Sequence, residues 1–236
     1  MEVKRSGGRT NNQLRAVTSE LGLLNKPDGS AKYTAGKSAV VVAVYGPIEV
    51  KHRDEILDRA TIKVHWSPSS GTGGPEEREK EMIVANVVQN AIIATLHPRT
   101  LIEIVVQMLA AAINATCLAL VDAGIPLKYR PAHPTLDFAL ELLSWIASVT
   151  CAIAQNGVFV LDPDLAEESA ARAVLLFAFN NQNDGVVASH SVGVLRKSEG
   201  EGEEFYLTCL AAARQSAFTL FSYYAEANKA LYQHLL

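Results

Sequence analysis

Four carboxylates stand close together in this 236-residue chain: Asp162, Asp164, Glu167 and Glu168. Oxygen ligands of this kind suit a hard divalent cation such as Mg2+. The same run also reads as a solvated acidic loop. Arg78, Lys80 and Arg99 are candidates for phosphate contact. Glu77, Glu79 and Glu81 alternate with the first two, which reads first as an ordinary charged helix surface, and Arg99 reads equally as a bridge between loops. The six histidines (His52, His65, His97, His133, His190 and His234) form no ligand spacing such as H-E-x-x-H. Cys117, Cys151 and Cys209 make no C-x-x-C pair, so they read as buried free thiols of a reducing compartment. Gly71-Thr72-Gly73-Gly74 lacks the Gly-Lys-Ser/Thr that completes a phosphate loop and reads as a flexible loop.

The elements that position these groups follow from composition and pattern. Hydrophobic residues make up 49% of the chain and charged residues 19%, which excludes a disordered protein. Lys and Arg number 21 against 25 Asp and Glu, a net charge of -4. That balance argues against a basic wrapper of duplex nucleic acid and leaves room for a local basic groove. Residues 1–13 are polar and predict a flexible leader without a signal peptide. Apolar runs break before the roughly 18 residues of a membrane span, so a soluble intracellular protein is expected.

Periodicity predicts strands over 30–34, 38–45, 61–66 and 101–108. A helix is predicted from Pro75, with Ile83, Val84, Val87, Val88, Ala91 and Ile92 as its apolar stripe, and a small-residue helix over 110–123. Asn156-Gly157 between two β-branched runs predicts a hairpin over 149–161. A strand pair over 173–179 and 186–192 follows, then a long amphipathic helix over 203–236. The sum is an α+β fold, mixed sheet packed with helices.

Several strings carry a family resemblance. Pro27-Asp28-Gly29-Ser30-Ala31, with Val44-Tyr45-Gly46-Pro47 and Glu49-Val50, resembles the paired opening strands of the RNase PH family. Leu96-His97-Pro98-Arg99-Thr100, Ala119-Leu120-Val121-Asp122-Ala123-Gly124-Ile125-Pro126 and Val160-Leu161-Asp162-Pro163 are similar to its later landmarks, in the same order. Their form is most similar to the RNase PH-like subunits of the eukaryotic RNA exosome. The resemblance implies one RNase PH-like domain over 14–236 that pairs side by side and joins a six-membered ring. RNA threads that ring toward a separate nuclease.

Active phosphorolytic members of the family remove the 3′-terminal nucleotide with inorganic phosphate. The resemblance places their Gly, Ser/Thr and Arg anion cradle between the 101–108 strand and the next helix. Here Gln107-Met108-Leu109-Ala110 runs into Ala111-Ala112-Ile113-Asn114 without Gly or Arg, which predicts a missing cradle. The family's two aspartates, six residues apart and acting as general acid or Mg2+ ligands, fall on Glu168 and Val174. Glu168 is thus the remnant catalytic candidate, with Asp162 and Asp164 beside it. Residues 130–148 read as an atypical insert.

The function the resemblance implies is a non-catalytic or weakly catalytic exosome ring subunit in 3′-to-5′ RNA processing and degradation, with Arg78, Lys80 and Arg99 facing RNA. Implied partners are other RNase PH-like ring subunits, cap subunits and single-stranded RNA, with a homodimer in isolation and no membrane. Nucleus, nucleolus and cytoplasm are the implied locations. The alternative is a self-sufficient homodimeric nuclease, either a phosphate-dependent exoribonuclease or a metal-dependent RNase/DNase. Inorganic phosphate or Mg2+ enters only if the chain is catalytic.

Overall fold

The computed structural model describes residues 5, 8–67, 74–107, 111–128, 145–181, 185–195 and 201–232. The first half builds a sheet from β1 (Val17–Leu21), β2 (Gly29–Ala35), β3 (Ser38–Glu49), β4 (Thr61–Ser67) and β5 (Thr100–Gln107), in the order β1-β2-β3-β5-β4. All pairs are antiparallel except β4 with β5. A parallel pair needs a crossover, and helix α1 (Pro75–Ala91) supplies it. Pro75 sits at the start of α1, where its missing N–H costs nothing, and Glu77 reaches back to the Gly74 N–H at 2.7 Å.

The second sheet has the order β7-β6-β8-β9, all antiparallel: β6 (Ile146–Ile153), β7 (Phe159–Leu161), β8 (Ala173–Asn180) and β9 (Val186–Gly193). Helix α2 (Ala112–Asp122) lies between the two sheets, packed on β2, β3 and β6. Every residue from Ala112 to Val121 is buried, which explains a helix mostly apolar around its circumference. Helix α4 (Glu201–Tyr232) covers β6, β7 and β8. A single hydrophobic cluster runs through both halves, from Val40 and Ile104 to Phe177 and Tyr224.

The landmark strings are the joints of this packing. A Cβ on Gly29 would fall within 2.5 Å of the Ala119 carbonyl oxygen, so only glycine lets β2 approach α2. Asp122 accepts from the Ser30 N–H at 2.8 Å and Asp28 from the Gly46 N–H at 2.8 Å. Asn114 ties α2 to β6: its Oδ1 accepts from Ser148 N at 2.6 Å and its Nδ2 donates to Ser148 O at 3.1 Å.

Two expectations change. Within the stretch read as a flexible leader, Arg5 is buried and Asn11 O accepts from the Leu161 N–H at 2.8 Å. The strand β6 starts at Ile146, within the 130–148 stretch read as an insert, and Trp145 N donates to Asn181 Oδ1 at 2.9 Å. Residues 129–144, Gly71 to Gly73 and the Met108-Leu109-Ala110 part of the expected cradle lie outside the described residues. Among the described residues, no helix is long and apolar enough to cross a membrane.

Candidate functional site

A cavity of about 460 Å³ opens where the two sheets, α1 and the start of α2 converge. Its apolar wall includes Ile83 and Val84 from α1, Val149 from β6, and Val174 and Leu176 from β8. Arg15, Glu79, Lys80, Asp162, Glu168 and His190 supply the charged and polar side. The volume and the mixed lining suit a small ligand or the end of a polymer.

Glu168 and Val174, the two positions where the resemblance implies carboxylates, both line this cavity. Glu168 sits on the short helix α3 (Leu165–Ala170), which the sequence reading leaves as an acidic loop. Burial is the main force lifting its carboxyl above the ordinary range. Asp162 and Asp164 push the same way, while Arg15 and Lys80 oppose them. Val174 can neither carry a proton nor bind a metal. The start of α2 also reaches the cavity, through Ala111, Ala112, Ile113 and Asn114. Ala111 caps the helix in the left-handed region (φ 67°) without a side-chain bond, and Asn114 is committed to Ser148.

The other carboxylates are occupied by arginines. Asp162 takes the Arg15 backbone N–H at 2.8 Å and Nε at 2.9 Å, and Asp164 stands 3.5 Å from both Arg9 and Arg15. Glu167 accepts from Arg5 Nε at 3.2 Å, Arg5 Nη2 at 3.0 Å and Asp164 N at 2.8 Å. Burial pushes the Glu167 carboxyl up, but these donors together outweigh it and hold the group below its ordinary range. The four carboxylates therefore do not converge as cation ligands: among the described residues no group of three or more His, Cys, Asp or Glu could hold a metal ion.

Of the three phosphate candidates, the cavity gathers one. Lys80 lines it, with Nζ 5.9 Å from the centre of the Trp66 ring. Arg78 is exposed on α1 and does not line the cavity. Arg99 stands before β5, at the end opposite the cavity, where its Nε is 3.5 Å from Glu55 and its N–H bonds Ile56 O at 3.2 Å. Arg15 and His190 are cavity residues that sequence reasoning missed. His190 Nε2 lies 3.7 Å from Glu79 Oε1, a pairing across β9 and α1 that no spacing rule signals. Cys117 is buried, and loss of hydration pushes its thiol up to about 11, the behaviour of a packing residue.

Residues 13–126 match domain 1 of the 3′ exoribonuclease family, RNase PH, and residues 144–216 match its domain 2. The chain belongs to the RNase PH family. The two matched regions coincide with the two sheets and share one core, where the sequence reading has a single unit. This RNase PH-family chain is 35% identical over 210 residues to the exosome complex exonuclease RRP46 homolog of Arabidopsis thaliana, covering 86% of this chain and 79% of that protein. It is 30% identical over 233 residues to the rice protein of the same name, covering 89% of each. The crystal structure of rice Rrp46 superimposes with a TM-score of 0.79 at 29% identity, over 93% of this chain and 97% of that one. An archaeal exosome core shares the RNase PH fold, with a TM-score of 0.68 at 22% identity over 92% and 89% of the two chains.

Proposed function

We propose that this chain is a ring subunit of an RNA exosome, one that scaffolds the ring and walls the RNA path in 3′-to-5′ RNA processing and degradation without efficient phosphorolysis of its own. Kinship with the RRP46 proteins of two plants supports the ring. The observation that carries the lack of phosphorolysis is Val174 lining the same cavity as Glu168. One carboxylate cannot share acid and metal duties with a valine, and the described start of α2 offers no arginine fork for phosphate. RNA would meet Lys80 at the cavity, with Arg78 and Arg99 on separate outer surfaces.

Partners in this reading are other RNase PH-like subunits, cap subunits and single-stranded RNA, in nucleus, nucleolus and cytoplasm. Leu207 and Phe218 on α4 are more than half exposed, apolar surface of the kind a subunit contact covers. A stable contact buries roughly 1,200 to 2,000 Å² in total. Affinity purification of the tagged chain from its own cells tests the assignment. Recovery of further RNase PH-like subunits in equal amounts is expected, and a chain recovered alone would contradict it.

One observation favours a second reading, a residual nuclease. Glu168 is half-buried with its proton held more tightly than usual, as a general acid requires, and Lys80 stands at the same cavity. Incubating 3′-labelled RNA or DNA with the pure chain, with and without phosphate and Mg2+, distinguishes the readings. Nucleoside diphosphates mark phosphorolysis and monophosphates mark hydrolysis.

A further inference from the structure

Arg5, Arg9 and Arg15 come from one polar stretch, and all three close on the turn between β7 and α3. Among the described residues Arg5 is the one charged residue that is buried, at 4% exposure. Burying a guanidinium is costly unless its N–H groups find acceptors. Arg5 finds them in both Glu167 oxygens, in Thr10 O at 3.1 Å and in Asp162 O at 2.9 Å. Arg9 donates to the same Asp162 carbonyl at 3.2 Å, and Arg15 grips the Asp162 carboxylate with its backbone N–H, Nε and Nη2. Asp162, in a left-handed conformation (φ 48°) that Asp enters more readily than most residues, is thus held by both its carbonyl and its carboxylate.

Helix α3 begins three residues later, runs for six residues and has no buried residue. Neither its length nor the core accounts for its place, because so short a helix does not persist without tertiary support. Part of that support comes through the ion pairs on Glu167 and Asp164, next to Glu168, beside the Asp162 N–H bonded to Thr150 O at 2.8 Å and Gln155 Nε2 bonded to Ala170 O at 3.4 Å.

We infer that Arg5, Arg9 and Arg15 form a strap that positions the β7–α3 turn and, through it, sets Glu168 against the cavity. These are positioning residues: through Glu167, Asp164 and Asp162 they decide where the cavity's carboxylate stands. The inference does not rest on the ring assignment, since the strap and its target belong to one chain and are tested without RNA or partners.

Hydrogen exchange of the full chain reads the strap directly. The Glu168 N–H, bonded to Asp164 O at 2.8 Å, reports α3, and the β6 amides report the body of the protein. In Arg5→Gln with Arg9→Gln, exchange over 165–170 rises about ten-fold or more while β6 is unchanged, as expected for a locally opened unit. The NMR methyl signals of Val174 and Val192, which face the same cavity, shift. Arg5→Lys with Arg9→Lys, which keeps the charges without the planar fork, recovers part of the protection. If the glutamine pair does not fold, Arg9→Gln alone leaves the Arg5 bonds in place and gives the same local signature on a smaller scale. Exchange at α3 within about two-fold of wild type in a folded variant overturns the inference. So does a rise at β6 in step with α3, or lysines that protect no better than glutamines.

Discussion

At the residue scale, Glu168 and Glu167 are neighbours with opposite electrostatic fates. Burial lifts the Glu168 carboxyl, so its ionised form is disfavoured in the folded chain. The cost is absent below the ordinary Glu pKa and grows as pH rises through and above that value. Glu168→Gln therefore raises the melting temperature at pH 7 and loses that advantage near pH 4, as thermal melts across that range will show. Glu167 has the reverse sign: its lowered carboxyl contributes stability above the ordinary value that disappears as pH falls through its folded value. Glu167→Gln costs about 1–3 kcal/mol at neutral pH, since it leaves the buried Arg5 short of its ionic partner, and the loss shrinks in acid. Urea unfolding at two pH values checks it. Together the pair separates a carboxylate that lines the cavity from one that holds a buried arginine.

At the element scale, the joints between sheets and α2 carry the fold. Asn114→Ala removes both partners of buried Ser148 backbone groups and should cost about 1–3 kcal/mol, measured as a lower urea midpoint with an unchanged slope. Gly29→Ala should cost about 1–3 kcal/mol or more by forcing β2 off α2, measured the same way. Most elements were legible because their periods are plain. The Val40 to Val44 run becomes the central β3, and Asn156-Gly157 turns β6 into β7. Two elements were not. Strand β1 alternates half-buried and exposed residues and owes its pairing to β2, while α3 buries nothing and owes its place to arginines far away in the chain. An ion pair between residues 5 and 167 leaves no periodic trace in either segment.

At the scale of the whole molecule, the resemblance reached only those cavity residues that stand inside its motifs. Glu168 and Val174 came from the RNase PH resemblance, and both line one cavity with the start of α2. Arg15 and His190 were invisible because they arrive from β1's approach and from β9, which only the folded chain juxtaposes. What results is an RNase PH fold with a full core and a cavity, in which Val174 stands where the resemblance implies a carboxylate and arginines hold the carboxylates near Glu168. In the proposed reading, such a subunit contributes surface and shape to a ring and leaves cleavage to another protein.

The most direct measurement is nucleotide release from 3′-labelled RNA by the pure chain in inorganic phosphate and Mg2+, beside its Glu168→Ala variant. The account predicts no phosphate-dependent nucleoside diphosphate above the level of the variant. Diphosphate release that requires phosphate and vanishes with Glu168→Ala would contradict it.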